Sequence, residues 1–244
     1  MKNIKSSILA LALIGATVCI HPVFSQEIKE VRVDPLSPEG KQRANAEQEK
    51  RAAEWVASLN LNDAAKESRL KKTITTHLIT IRDWNNEHHF STVPAGINPV
   101  TGTKLSDLDR QIIANSAMPK TIHEDLMAGL RKELSEDQVE LILDKYTIGK
   151  VAFTMKAYKE IVPNMTAEEE AVLVKNLKQA REQAIDYKNM TQVSAIFEIY
   201  KTKNEQYLNS NGRSWRQMYG DYTKALKAKK AEAAKNKAEV KGER

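Results

Sequence analysis

Four histidines lie beyond the first 25 residues: His77, His88, His89 and His123. Imidazole is the side chain most readily used for proton transfer or metal ligation near neutral pH. The spacing argues against a metal centre. His88 and His89 are adjacent, so on a helix they diverge by about 100° and cannot hold one ion together. No His-x-x-x-His pair is present, and Glu87-His88 and His123-Glu124 are neighbours rather than helical i,i+4 partners. Neither a Gly-x-Ser-x-Gly turn nor a glycine-rich phosphate loop occurs, so a nucleophilic triad has no support. The one cysteine is Cys19. The carboxylate groups at Asp107, Asp109 and Glu168–Glu170 stand where first helical turns are expected, and negative charge there complements the helix dipole. No catalytic residue, metal or cofactor is assigned.

Polar and aromatic residues that could grip a ligand remain. Asp144, Thr147 and Lys150 recur at a spacing of three, beside Gly149, in the string DKYTIGK. On a continuous helix they are neighbours, and a glycine there marks close helix contact or a kink at a cost of about 1 kcal/mol. His77, Ile81, Trp84 and His88 share one helical face. Trp84 is the tryptophan best placed to face a ligand, whereas Trp55 aligns with Ala52, Val56 and Leu59 as core. Trp84, His88, His123, Asp144, Thr147 and Lys150 form the candidate ligand-binding set.

The elements that must position them are helices. Residues 1–25 are set apart: Lys2 and Lys5 precede an apolar run from Ile8 to Ile20, too short for the ~20 residues that span a bilayer. This reads as a signal peptide cleaved after Ser25, which places the protein in the periplasm or outside the cell. The mature chain then has no cysteine, hence no disulfide, and is held by packing alone. The net charge of +6 is uneven. Residues 26–223 carry 28 Lys/Arg against 29 Asp/Glu, and the excess sits in the low-complexity segment 224–244. The body therefore has no basic face for nucleic acid, and no membrane association is expected after cleavage.

Beyond 26–36, taken as extended, a helical domain is expected over 37–223, followed by the Lys/Ala-rich tail 224–244. Periodicity and caps place helices at 38–59, 63–90, 106–115, 120–133, 136–162, 167–188, 192–209 and 214–235. Ser37, Asp63, Ser106, Ser135 and Thr166 are the cap candidates, and Ser135 with Gln138 and Thr166 with Glu169 read as capping boxes. The stretch 136–162 is apolar on more than one side, which predicts a central helix in an irregular all-α bundle of seven to eight helices. STVPAGINPVTGTK at 91–104 breaks the pattern and is either a connector or a functional loop.

The string LSEDQVELILDKYTIGKVAFTMKAYKEIVPNMTAEEEAVLVKNLKQAREQA, with LNDAAKE before it and NEQYLNSNG after it, resembles the bacterial domain of unknown function 3826 family from about Trp55 to Tyr222. Ile148 stands where that family usually has an aromatic residue. The resemblance implies an exported protein with a sugar-binding role near polysaccharide-degrading genes, and brings no catalytic residues. The expectation is therefore a non-catalytic accessory protein that binds carbohydrate or a periplasmic protein. The alternatives are a small periplasmic helical chaperone, because LSEDQ and MTAEE resemble its Leu-Thr-x-x-Gln repeat, or a lyase or hydrolase using Asp144, His123 or Lys150.

Overall fold

Most of the helices begin where a short polar side chain satisfies free amides, whereas the two that start after Pro119 and Gly149 have none. The computed structural model describes residues 37–99 and 101–242, with side chains through 233. The expected signal peptide at 1–25, the segment 26–36 and the far end of the tail lie outside these. Among the described residues the chain is all-α: α1 (Pro38–Ala57), α2 (Ala64–Glu87), α3 (Asp107–Ser116), α4 (Lys120–Glu133), α5 (Glu136–Tyr146), α6 (Lys150–Ile161), α7 (Ala167–Ala184), α8 (Met190–Ser210) and α9 (Trp215–Gly242). Ser37 accepts from the Gly40 amide and Asp63 from the Lys66 amide. Ser106, Ser135 and Thr166 form reciprocal capping boxes with Asp109, Gln138 and Glu169. Each such cap is worth about 1 kcal/mol. Asn189, unread from sequence, caps α8 through the Gln192 amide. No described helix is long and apolar enough to cross a membrane.

The single helix expected over 136–162 is two. Ile148 and Gly149 both have left-handed backbone, at φ 52° and 63°. The Gly149 amide donates to Asp144 O at 2.9 Å and the Ile148 amide to Lys145 O. This is a Schellman closure, which favours glycine at the left-handed position. Here that position is Ile148, 72% exposed. A β-branched residue is strained there. Ile148→Asn is therefore expected to raise the unfolding free energy by about 1 kcal/mol in urea titration, with function unchanged.

The break gives the bundle two apolar centres instead of one central helix. Leu70, Ile74, Leu126, Leu130 and Ile142 pack α1, α2, α4 and α5 around the first. Tyr158, Leu173, Leu177, Ile196 and Phe197 pack α6, α7 and α8 around the second. Helix α7 belongs to the second through Leu173–Ala184, while Ile185, just past its end, belongs to the first. The bend also explains the apolar residues on the outer side of 136–162: Leu141 and Phe153 are 53% and 62% exposed.

Helices α2 and α4 cross closely at Gly129. A Cβ there would lie 2.6 Å from Thr73 Cγ2. Thr73 is β-branched and stiff on its helix. Gly129→Ala is thus expected to destabilise by about 1–2 kcal/mol, despite alanine's better helix propensity. In a Thr73→Ala background the sign should reverse, which a four-way thermal denaturation cycle reads.

Segment 91–104 is a tied loop. Arg110 donates twice to Val93 O, and Gln111 accepts from the Phe90 amide and donates to His88 O. Ile97 and Lys104 form an isolated antiparallel bridge.

Candidate functional site

Asp186 follows Ile185 in the turn after α7, where the chain leaves one core for the other. Its two oxygens hold two histidines from distant helices. Oδ1 meets His77 Nε2 of α2 at 3.0 Å, and Oδ2 meets His123 Nδ1 of α4 at 2.8 Å. His77 is buried, 3% exposed, edge-on to the Tyr146 ring at 5.4 Å. His123 is half-buried, and its Nε2 lies 3.6 Å from Glu182.

The hydrogen bond to Asp186 holds the His123 imidazole above its usual value, against burial, with the Asp186 and Glu182 charges adding to it. Burial alone would raise the Asp186 carboxyl, but the hydrogen bonds and charges of His123 and His77 overcome it and leave it below the carboxylate range. Burial, then the Asp186 charge, pushes the Tyr146 hydroxyl well up. The result is an ionised carboxylate clamped between two ring N–H donors. Among the described residues no three His, Asp, Glu or Cys side chains are arranged to hold a metal ion.

Two clefts flank this chain of groups, on different sides of α4. The first, of about 370 Å³, is lined by Asn115, Met118, Lys120, His123, Gln183 and Asp186, among others. The second, of about 420 Å³, is lined by Thr73, Thr76, His77 and Asp125, among others. On the wall of the first, Asn115 is 5% exposed; its carbonyl accepts from Gln111, while its Nδ2 has no protein partner. Tyr187 also lines this cleft, and burial, with the Asp186 charge, raises its hydroxyl.

The residues singled out from sequence fall in three places. His123 lies in the first cleft. Trp84 and His88 stack on each other, with centroids 3.6 Å apart and planes at 9°, and His88 Nδ1 lies 3.0 Å from Trp84 O. Asp144, Thr147 and Lys150 surround the α5–α6 break, each with its own partner. Asp144 pairs with Arg181 at 2.7 Å, Thr147 is buried and back-bonds to Leu143 O, and the Lys150 ammonium lies 5.6 Å from the Phe197 centroid. Burial lowers the Lys150 pKa. With the helix broken, the three no longer form the i,i+3 row expected of them. Asp186, Asn115 and Tyr146 were missed. Asp186 sat inside what read as a continuous helix, and its partners lie 109 and 63 residues away.

The model of a protein family of unknown function, DUF3826, matches residues 45–228. The chain belongs to the DUF3826 family. The match includes α2 through α8, and so every residue of the His77–Asp186–His123 chain and both clefts. No curated protein matches the sequence. DUF3826 membership therefore assigns no role to any residue, and the chemistry rests on the geometry.

Proposed function

We propose that the chain is an exported, non-catalytic DUF3826 protein that binds a carbohydrate in the cleft beside His123, as an accessory to polysaccharide utilisation. The observation that carries this reading is the cleft itself, about 370 Å³, whose wall brings Asn115, His123, Asp186 and other polar side chains around one space. Gln183, Lys120, Glu124 and Tyr187 line the same cleft, so donors and acceptors surround the space, as the alternating hydroxyls of a sugar require.

The same geometry favours binding over catalysis. His123 is engaged on both ring nitrogens, Nδ1 by Asp186 and Nε2 at 3.6 Å from Glu182. Asp186 has both oxygens engaged. The trio Asp144, His123 and Lys150 that an enzyme reading relies on is divided among separate partners. A chaperone reading draws less support, since the large exposed apolar residues (Ile97, Ile113, Leu141, Ile148, Phe153, Met190 and Ile199) come from several different segments.

Titration calorimetry of the purified protein against a panel of plant-polysaccharide oligosaccharides tests the proposal. Saturable heat with at least one member is expected, weakened about tenfold by Asn115→Ala. No heat across the panel, or binding indifferent to Asn115→Ala, contradicts it.

A further inference from the structure

Helix α9 leaves the body after its first turns. Trp215 and Met218 pack on the second apolar centre, and the Tyr222 hydroxyl donates to Glu160 at 2.9 Å. From Lys227 to Ala233 every residue is exposed, so about two turns of helix have no side against the rest of the chain. The helix itself runs on to Gly242. Alanine and lysine, both strong helix formers, hold it without packing.

Its charge is not of a kind that serves the helix. Lys224, Lys227, Lys229 and Lys230 crowd into one short stretch. No acidic residue stands four positions from any of them, where a stabilising ion pair would form. Lys224 reaches Asp221 at 3.8 Å between two exposed side chains, while Lys227, Lys229 and Lys230 have no ion pair among the described residues. Lys227 instead stands three positions from both Lys224 and Lys230, where like charges repel. The helix dipole gives no reason for these lysines either. Its pull is confined to the last turn, and Lys230 lies about three turns before Gly242.

The angular placement selects the partner. At about 100° per residue, Lys230, Lys227 and Lys224 cover an arc of about 120°, and Lys229 lies about 140° beyond Lys224. The four ammonium groups therefore surround the helix. A flat bilayer meets only one side of it, and the stretch from Lys227 to Ala233 offers no leucine or aromatic ring to enter lipid. A flexible linear polyanion can wind past all four.

We propose that α9 from Lys224 outward is an arm that captures a linear acidic polysaccharide, whose carboxylates take the place of the missing acidic partners. The choice of a sugar polymer rests on the carbohydrate reading above and extends it from the cleft to a second contact. Release of counterions makes the capture strong at low salt and weak at high salt.

Binding of the full protein to polygalacturonate, to a neutral galactan of matching length and to vesicles of phosphatidylglycerol in phosphatidylcholine tests the arm. Polygalacturonate is expected to bind about tenfold tighter or more than either of the others, and Lys224→Gln/Lys227→Gln/Lys230→Gln to weaken it by about tenfold or more. Lys71, Lys145 and Lys175 are exposed on the body, and changing all three to Gln should alter binding less than about twofold. Ala228→Glu/Ala231→Glu places a carboxylate four residues after Lys224 and Lys227. It should leave helix content by circular dichroism intact and yet weaken polygalacturonate as much as the lysine variant does, which a folding failure cannot do. Equal loss in the body variant, or vesicles bound as tightly as polygalacturonate, overturns the arm. No capture of polygalacturonate, with neutral oligosaccharides still giving heat, overturns the arm and leaves the cleft reading standing. No heat from any neutral oligosaccharide, with polygalacturonate capture lost in the lysine variant, upholds the arm and overturns the cleft.

Discussion

Arg181→Ala is expected to lower the unfolding free energy by about 3 kcal/mol. The guanidinium is 2% exposed and reaches Asp144 at 2.7 Å and Glu140 at 2.6 Å. It thereby ties α7 to α5, whose C-terminal turn separates the two apolar centres. Burial works against its charge, and the hydrogen bonds and charges of Glu140 and Asp144 overcome this and raise its pKa. Truncation removes a large buried side chain and leaves Asp144 without its partner, while Glu140 keeps Lys178 at 2.8 Å. Those carboxylates are about a third exposed and recover water, which holds the loss at the lower end for a broken buried pair. Arg181→Met refills the volume without the charge and should lose less than half as much. Urea unfolding of the three proteins checks the order. Equal losses for alanine and methionine would show that charge alone decides, and a loss under 1 kcal/mol for alanine would remove the pairing from the account.

Asp186→Ala should destabilise by about 2–3 kcal/mol and also change how stability depends on pH. The carboxylate is held below its usual range, so its share of stability is complete above the unfolded value near 3.9 and is lost as pH falls through the lower folded value. The imidazole of His123 is held above its usual value. Its share is complete below the unfolded value near 6.5 and is lost as pH rises through the raised folded value. The pair is therefore strongest between the two unfolded values, from about 4 to about 6.5, and the wild type should weaken as pH rises from there through the raised His123 value. Asp186→Asn keeps the shape and removes the charge, so this alkaline decline should flatten. An unchanged slope in Asp186→Asn would show that His123 owes nothing to its partner.

Much of the helical framework was legible because caps and apolar spacing are local. Ser106, Ser135 and Thr166 announce their helices within three residues, and the tertiary structure agrees with them. The α5–α6 break was misread for a physical reason. Ile148 is an apolar residue at a position where glycine or asparagine is the usual signal, and it hid the stop that Gly149 marks. The helical face of His77, Ile81 and Trp84 was drawn correctly, but it could not show that His77 is bonded to Asp186. Such a contact joins residues more than a hundred positions apart and leaves no period in the sequence. Asn115 was equally silent: a single amide near a helix end reads as a solvated terminus until the fold buries it and leaves its nitrogen without a partner.

The most direct test follows the Asn115 side-chain amide and the His123 ring by NMR during titration with the tightest-binding oligosaccharide of the plant-polysaccharide panel. The account predicts that both signals move together along one binding curve, while the rings of Trp84 and His88, stacked at the end of α2, stay in place. Saturation of the protein with the Asn115 and His123 signals unmoved, and shifts clustered elsewhere, would contradict it.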